Sequence, residues 1–313
     1  MLPHFSSLRA KTKREAVQAL ADCEPASLVA GGTDLVVLAR KKRAPLAEVL
    51  VAVHRIEEIT GVAEAPGGGL RIGAATPHAE IERHPLIAER FTALADGSAL
   101  VGSPATRHVG TIGGNLANAS PANDTGSALL VFDATVELAS AGGTRTLPLS
   151  AFFAGPGETA LAPGELLAAV TIPPPPPGRT GSAYVRLDYR QAMEIAVVGA
   201  AAVVRLDDDS ASIIEARLAL TAVAPTCVEV DGIGESVRAR DPNDPAVWDE
   251  AARLAAAAAR PIDDVRAPGA YRAAMVPVIV RRAFGFAARR ALEGAGVVPV
   301  PATLAMTAVG ASA

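Results

Sequence analysis

Five consecutive prolines, Pro173–Pro177, followed by Gly178, constrain this chain more than any other feature. Proline lacks a backbone N–H and fixes φ, so the run joins no helix or sheet interior and forms a stiff spacer. A boundary is expected there, with domains over 1–175 and 179–292 and a flexible tail over 293–313. The length of 313 residues agrees, exceeding what one small core needs.

Half of the residues are apolar yet only 4% are aromatic, so the core is built from Ala, Val and Leu, and burial against partner subunits is expected. The net charge is −4 and the one basic block is Arg40–Arg43, read as a solvated helix end. Nucleic-acid binding, which needs a clustered basic face, is excluded as a reading. Cys23 and Cys227 stand far apart with no CxxC spacing, so neither a disulfide framework nor a zinc or iron–sulfur site is expected. No export signal is visible at Met1–Phe5, and the longest apolar stretch, Val297–Val309, is short and broken by prolines. A cytoplasmic protein without a membrane span is the expectation.

Residues Ala26–Val53 read as strand, glycine turn, helix and strand, the helix ending before Pro45. Leu70–Gly73 reads as a strand and Thr76-Pro77 as a helix start. Gly97–Asp124 lacks periodicity and is expected to be a long functional loop. Thr135–Leu138 and Thr144–Leu149 form a hairpin about Gly142-Gly143, and Leu166–Ile172 is the last strand of this half. Past the prolines, Ile195–Arg205 and Ile213–Val223 are strands joined at Asp207–Ser210, and Ala246–Ala259 and Tyr271–Leu292 are helices. The fold class is therefore α+β, with a small C-terminal α+β domain of antiparallel sheet and helices.

Two loops carry the chemistry. In Ala30-Gly31-Gly32-Thr33-Asp34, glycine permits close backbone approach and positive φ, and the following helix offers unpaired N–H groups suited to a pyrophosphate. Thr33 is expected to cap that helix. Asp34 repels phosphate and suits the helix dipole instead. Any strand-to-helix turn uses such glycines, so this loop alone is weak evidence. Gly110-Thr111-Ile112-Gly113-Gly114-Asn115 is stronger, being expected to present several free amides beside Thr and Asn side chains. Its alternative is a tight turn or bulge. Ser120, Asn123 and Asp124 follow as hydrogen-bonding groups, and Asp124 suits equally a ligand contact or the N-cap of a helix over Thr125–Phe132. An acidic side chain at Gly113 is expected to repel a diphosphate. Neither loop fits G-x-G-x-x-G or the P-loop, which disfavours a plain dinucleotide fold and an NTPase. His54, His78, His84 and His108 lack metal spacing and read as solvated or satisfied; no metal site, nucleophile or paired carboxylate stands out.

Taken together, Leu28–Leu35, Arg71–Thr76, Gly110–Asp124, Ala183–Arg186 and Pro261–Arg266 resemble the FAD-binding medium subunit of the molybdenum hydroxylases, the aerobic carbon monoxide dehydrogenase and xanthine dehydrogenase type. The resemblance covers about Pro25 to Arg290. It implies an FAD-binding domain of two α/β subdomains (about 1–55 and 56–175, PCMH-type) followed by the C-terminal domain. It implies that Leu28, Val29, Ala30, Gly31, Gly32, Thr33, Asp34 and Leu35, with Thr111, Ile112, Gly113, Gly114 and Asn115, hold the pyrophosphate. Val101, Ser120, Asp124 and Leu167 would contact the flavin nucleotide. Arg186 stands where the family usually has Lys, and Ile195 where relatives place a side chain against the isoalloxazine. No catalytic acid or base is needed from this chain. Electrons would arrive from [2Fe-2S] clusters of a small subunit, after hydroxylation at the molybdenum cofactor of a large subunit, and leave to NAD+, oxygen or another acceptor. A dimer of heterotrimers is implied. The alternatives are a self-contained FAD oxidase, for which the domain after Pro177 is short and poor in aromatics, and a flavin-less structural subunit.

Overall fold

The computed structural model describes residues 4–23, 25–42, 45–190 and 192–294. Residues 295–313 of the expected tail, which include the segment Val297–Val309, and Arg43 of the basic block lie outside the described residues. The chain packs as two compact units. One comprises residues 1–80, 104–119 and 134–174; the other comprises 81–103, 120–133 and 175 onward. Two stretches of the chain's first half thus fold with its second half, and the last change of unit, after Pro174, falls within the proline run.

Among the described residues the first unit holds two larger sheets and a small hairpin. In the smaller sheet, β1 (Ser6–Arg9) and β2 (Ala26–Val29) both pair in parallel with β3 (Val49–Ala52), in the order β1-β3-β2. Parallel pairs need crossovers, supplied by helices Lys13–Asp22 and Leu35–Arg40. Thr12 caps the first, its Oγ1 accepting from Glu15 N at 3.1 Å, and Ala16 and Val17 pack with Val51, Val53, Ile56 and Ile59. The larger sheet is antiparallel throughout. It contains β4 (Val62–Glu64), β5 (Leu70–Gly73), β6 (Thr135–Ser140) and β7 (Gly143–Pro148). After a small hairpin of β8 (Phe153–Gly155) and β9 (Glu158–Thr159) comes β10 (Leu166–Ile172), which enters at the centre, in the order β4-β5-β10-β6-β7. That position explains its nearly unbroken apolar run.

The second unit is a four-stranded antiparallel meander of β11 (Arg179–Leu187), β12 (Val198–Leu206), β13 (Ile213–Thr221) and β14 (Val228–Glu229). Asp207 Oδ1 closes the β12–β13 connection by accepting from Asp209 N and Ser210 N. Helices Val247–Ala258 and Gly269–Glu293 pack on the sheet, with Trp248 stacked on Phe284 at 4.6 Å. Gly181 permits close approach of helix and sheet: a Cβ there would lie 2.2 Å from Ala287 O.

One expectation fails clearly. Gly97–Asp124 is not a long loop but a chain of short helices: the end of Thr92–Leu100, then Pro104–Arg107, Ile112–Ala117 and the start of Asp124–Leu130. Glycines blur the periodicity because backbones meet there. A Cβ on Gly97 would come within 2.6 Å of Asp124 O.

Candidate functional site

The first unit brings the two glycine turns into backbone contact. A Cβ built on Gly31 would lie 1.9 Å from Val109 O and 3.0 Å from Gly110 N, so only glycine lets the turns meet. Gly32 serves differently, with φ +67° and a Cβ there meeting only the Val36 and Val29 side chains, at 3.4 and 3.5 Å. Thr33 does not cap the next helix. Asp34 occupies the N-cap position and makes no capping hydrogen bond, and burial pushes its carboxyl up. The N–H groups that open the helix Leu35–Arg40 therefore have no side-chain cap.

The second turn corrects the sequence reading. Its amides are not free. Ile112 N donates to Thr76 O at 3.1 Å, Gly113 N to Ala74 O at 2.8 Å, and Asn115 N to Thr111 O at 2.9 Å. Gly114 N donates to Thr111 Oγ1 at 3.1 Å, which makes Thr111 the N-cap of Ile112–Ala117. The Ala74–His78 segment clamps the turn like a short extra strand, closed by His78 N donating to Gly110 O at 3.0 Å. Gly113 is required by this packing, since a Cβ would fall 2.5 Å from Ala74 Cβ and 2.7 Å from Ala74 O.

Beside both turns lies a cavity of about 120 Å3. Leu28, Ala30, Thr111, Gly113, Gly114 and Leu167, all expected site residues, line it. Val53, Ile59, Ala74, Ala75, Ala117, Leu161 and Leu166 complete the wall and were missed. The Arg71–Thr76 motif signalled Ala74 and Ala75; the remainder are aliphatic positions indistinguishable in sequence from core. No ionisable side chain contributes to the lining. Val29, Gly31, Gly32, Thr33, Asp34, Leu35, Ile112 and Asn115 shape or flank the turns without forming the cavity wall.

Val101, Ser120, Asp124, Arg186 and Ile195 belong to the second unit. Asn123, not Asp124, is the N-cap of Asp124–Leu130, its Oδ1 accepting from Thr125 N and Gly126 N at 3.0 and 2.8 Å. This frees the Asp124 carboxylate to accept from Tyr184 Oη and Arg186 Nη1, each at 2.8 Å. Arg186 Nε donates to Asp188 Oδ2 at 3.0 Å. Burial opposes the guanidinium charge, and Asp124 and Asp188 outweigh it. Arg186 Nη2 and Asp188 Oδ1 remain buried without a partner. Ser120 Oγ accepts from Ala122 N at 3.2 Å, Val101 follows the helix Thr92–Leu100, and Ile195 is half-exposed next to Glu194, which pairs with Arg190.

Close backbone approach at two glycine turns beside an apolar cavity suits a bound nucleotide, and comparison with known proteins gives the class as an FAD-binding flavoprotein. Residues 3–175 match the family described as the FAD binding domain in molybdopterin dehydrogenase, and residues 183–287 the CO dehydrogenase flavoprotein C-terminal domain. The chain belongs to this family of FAD-binding subunits of molybdenum-containing dehydrogenases. It is 34% identical to the carbon monoxide dehydrogenase medium chain of Afipia carboxidovorans over 93% of this chain and 99% of that one. It is 35% identical to a putative xanthine dehydrogenase FAD-binding subunit of Escherichia coli over 72% and 76%. A Cu,Mo-CO dehydrogenase structure superposes with a TM-score of 0.86 at 32% identity, covering 93% of this chain and 99% of that chain.

The cofactor is FAD, and the residues present fit it. Gly31 and Gly113 hold backbone where any Cβ would intrude, the helix after Asp34 has no side-chain cap, and the cavity wall is mostly aliphatic. The buried thiol of Cys227 is pushed up to about 11 by burial, which leaves it unreactive.

Proposed function

We propose that this chain is the electron-transfer subunit of a molybdenum-containing hydroxylase. It would receive electrons from [2Fe-2S] clusters of a small partner subunit and deliver them to NAD+, oxygen or another acceptor, with substrate oxidised at the molybdenum cofactor of a large subunit. Membership of the family and the relatives' designation as medium chains support this, and the assembly is proposed to be a dimer of heterotrimers. A cytoplasmic location accords with the absence, among described residues, of a helix long and apolar enough to cross a membrane.

The observation that carries the reading is a cavity without acids, bases or nucleophiles, set against two interlocked glycine turns. Such a wall binds and shields; it performs no proton transfer. When bound, FAD supplies the capacity to take up and release electrons. Leu28–Leu35 would hold the diphosphate arm, with Gly31 and Gly32 bringing the backbone close. Thr111, Gly113, Gly114 and Leu167 would form the opposing wall. Val101, Ser120, Asp124, Arg186 and Ile195 are proposed as flavin contacts on the family resemblance alone.

Co-purification tests this directly. The native complex should contain about one FAD per copy of this chain together with molybdenum- and iron-bearing partners, and the isolated chain should retain flavin yet turn over no substrate. Substrate turnover by the isolated chain would overturn the division of labour. A folded chain that takes up no FAD would overturn the site.

A further inference from the structure

His78 is a buried histidine of the segment that clamps the second glycine turn. Its side chain is 1% exposed and lies directly behind the second glycine turn, its Cδ2 3.7 Å from where a Cβ on Gly110 would stand. Its backbone N–H donates to Gly110 O, and its ring makes a hydrogen bond to the Thr111 backbone. The Nδ1 atom is buried without a partner, which leaves Nε2 as the nitrogen that faces Thr111. Leaving Nδ1 unpartnered in the interior costs free energy, which the hydrogen bond from the other side of the ring offsets in part.

We propose that His78 is a positioning residue of the FAD site, its Nε2–H donating to the Thr111 carbonyl and thereby fixing the Thr111–Gly114 wall of the cavity. This rests on the FAD reading of that cavity. The ring is neutral near pH 7. Burial first, then the Arg107 cation, lower its pKa to about 4, against the opposing pull of the Thr111 hydrogen bond. Neutrality matters to the role, because an imidazolium here would stand beside Arg107. Thr111 is the keystone of the turn: its carbonyl also accepts from Asn115 N and its hydroxyl from Gly114 N, so its peptide orientation sets both.

Two uncharged replacements of similar size separate positioning from packing. In His78→Gln the amide N–H reaches roughly where Nε2 stood; in His78→Leu no donor remains. Thr111 O keeps Asn115 N–H in either case, and Leu removes the unpartnered Nδ1, so a packing role predicts that Leu serves at least as well as Gln. Positioning predicts the reverse. His78→Leu should keep or raise the thermal midpoint, yet weaken FAD binding about tenfold and speed hydrogen exchange at the Ile112–Asn115 amides by a similar factor. His78→Gln should match the wild type in both readouts. Leu equal to wild type in affinity and exchange, or Gln as weak as Leu, overturns the proposal. Should the Leu protein not fold, Gln alone decides, since normal affinity and exchange support the role and their loss refutes it. Failure of the wild-type chain itself to bind FAD would sink the FAD reading, while the exchange rates would still judge the role of His78 in the turn.

Discussion

At the scale of single residues, the site depends on where a methyl group cannot go. Gly31→Ala places a carbon inside the carbonyl of Val109, and because that neighbour is backbone the two turns must separate. Gly32→Ala meets only side chains at 3.4 Å and costs the price of a left-handed backbone, about 1–2 kcal/mol. Thermal denaturation should therefore rank Gly31→Ala as the more damaging, and it alone should abolish flavin retention; equal effects would contradict the interlock. Gly113 refines the charge argument. An acidic group there was expected to act by repelling a diphosphate, but the collision with Ala74 comes at Cβ, before any charge. Gly113→Ala and Gly113→Asp should empty the site alike, measured by flavin absorbance of the purified proteins, whereas Ala retaining FAD would restore the electrostatic explanation.

At the scale of elements, the second unit is tied together by charge as much as by apolar contact. Asp96, on the helix Thr92–Leu100, accepts from Arg290 Nη1 and Nη2 at 2.6 and 3.0 Å and from Tyr184 N at 3.1 Å. This joins that helix to β11 and to Gly269–Glu293. Removing one partner strands a buried charge, so Asp96→Leu should cost about 3–5 kcal/mol in urea unfolding, while Asp96→Leu with Arg290→Met should cost clearly less than the two single changes summed. Additive losses would show that the pair is not coupled. Such ties explain what the sequence hides. The β12–β13 hairpin was legible because apolar strands flank an Asp-rich turn. β1 was not, since Ser6–Arg9 is wholly exposed and becomes a strand only by pairing with β3. The turns themselves were legible from glycine, but their hydrogen bonds were not. Nothing local in Thr111–Asn115 tells that Ala74 and Thr76 claim its amides. Nor does Arg186 reveal that Asp124, far away in sequence, is its partner.

For the whole molecule, His78 sets a pH signature. Unfolded, it binds a proton near its ordinary 6.5; folded, buried and beside Arg107, only near 4. Between those values the unfolded chain holds more protons, so this group's contribution makes stability fall as pH drops through that window and leaves it level above it. The slope difference between wild type and His78→Gln should approach about 1.4 kcal/mol per pH unit near pH 5, read from urea midpoints, and parallel curves would assign the titration elsewhere. The division into units makes a second prediction at this scale. A fragment ending at Pro175 keeps the helices Thr92–Leu100 and Asp124–Leu130 but loses β11 and the helix Gly269–Glu293. It should bind a hydrophobic dye and melt without cooperativity, despite matching the whole FAD-binding family; a sharp melt would show that the half is autonomous.

The polypeptide changes unit five times, after residues 80, 103, 119, 133 and 174. On the ribosome this imposes a wait. Residues 81–103 and 120–133 emerge early, with Leu94, Leu129 and their neighbours destined for burial, yet the strands that complete their unit are translated only after the proline run. The nascent chain must therefore keep those helices shielded, by transient collapse or by chaperones, until the last third of the message has been read.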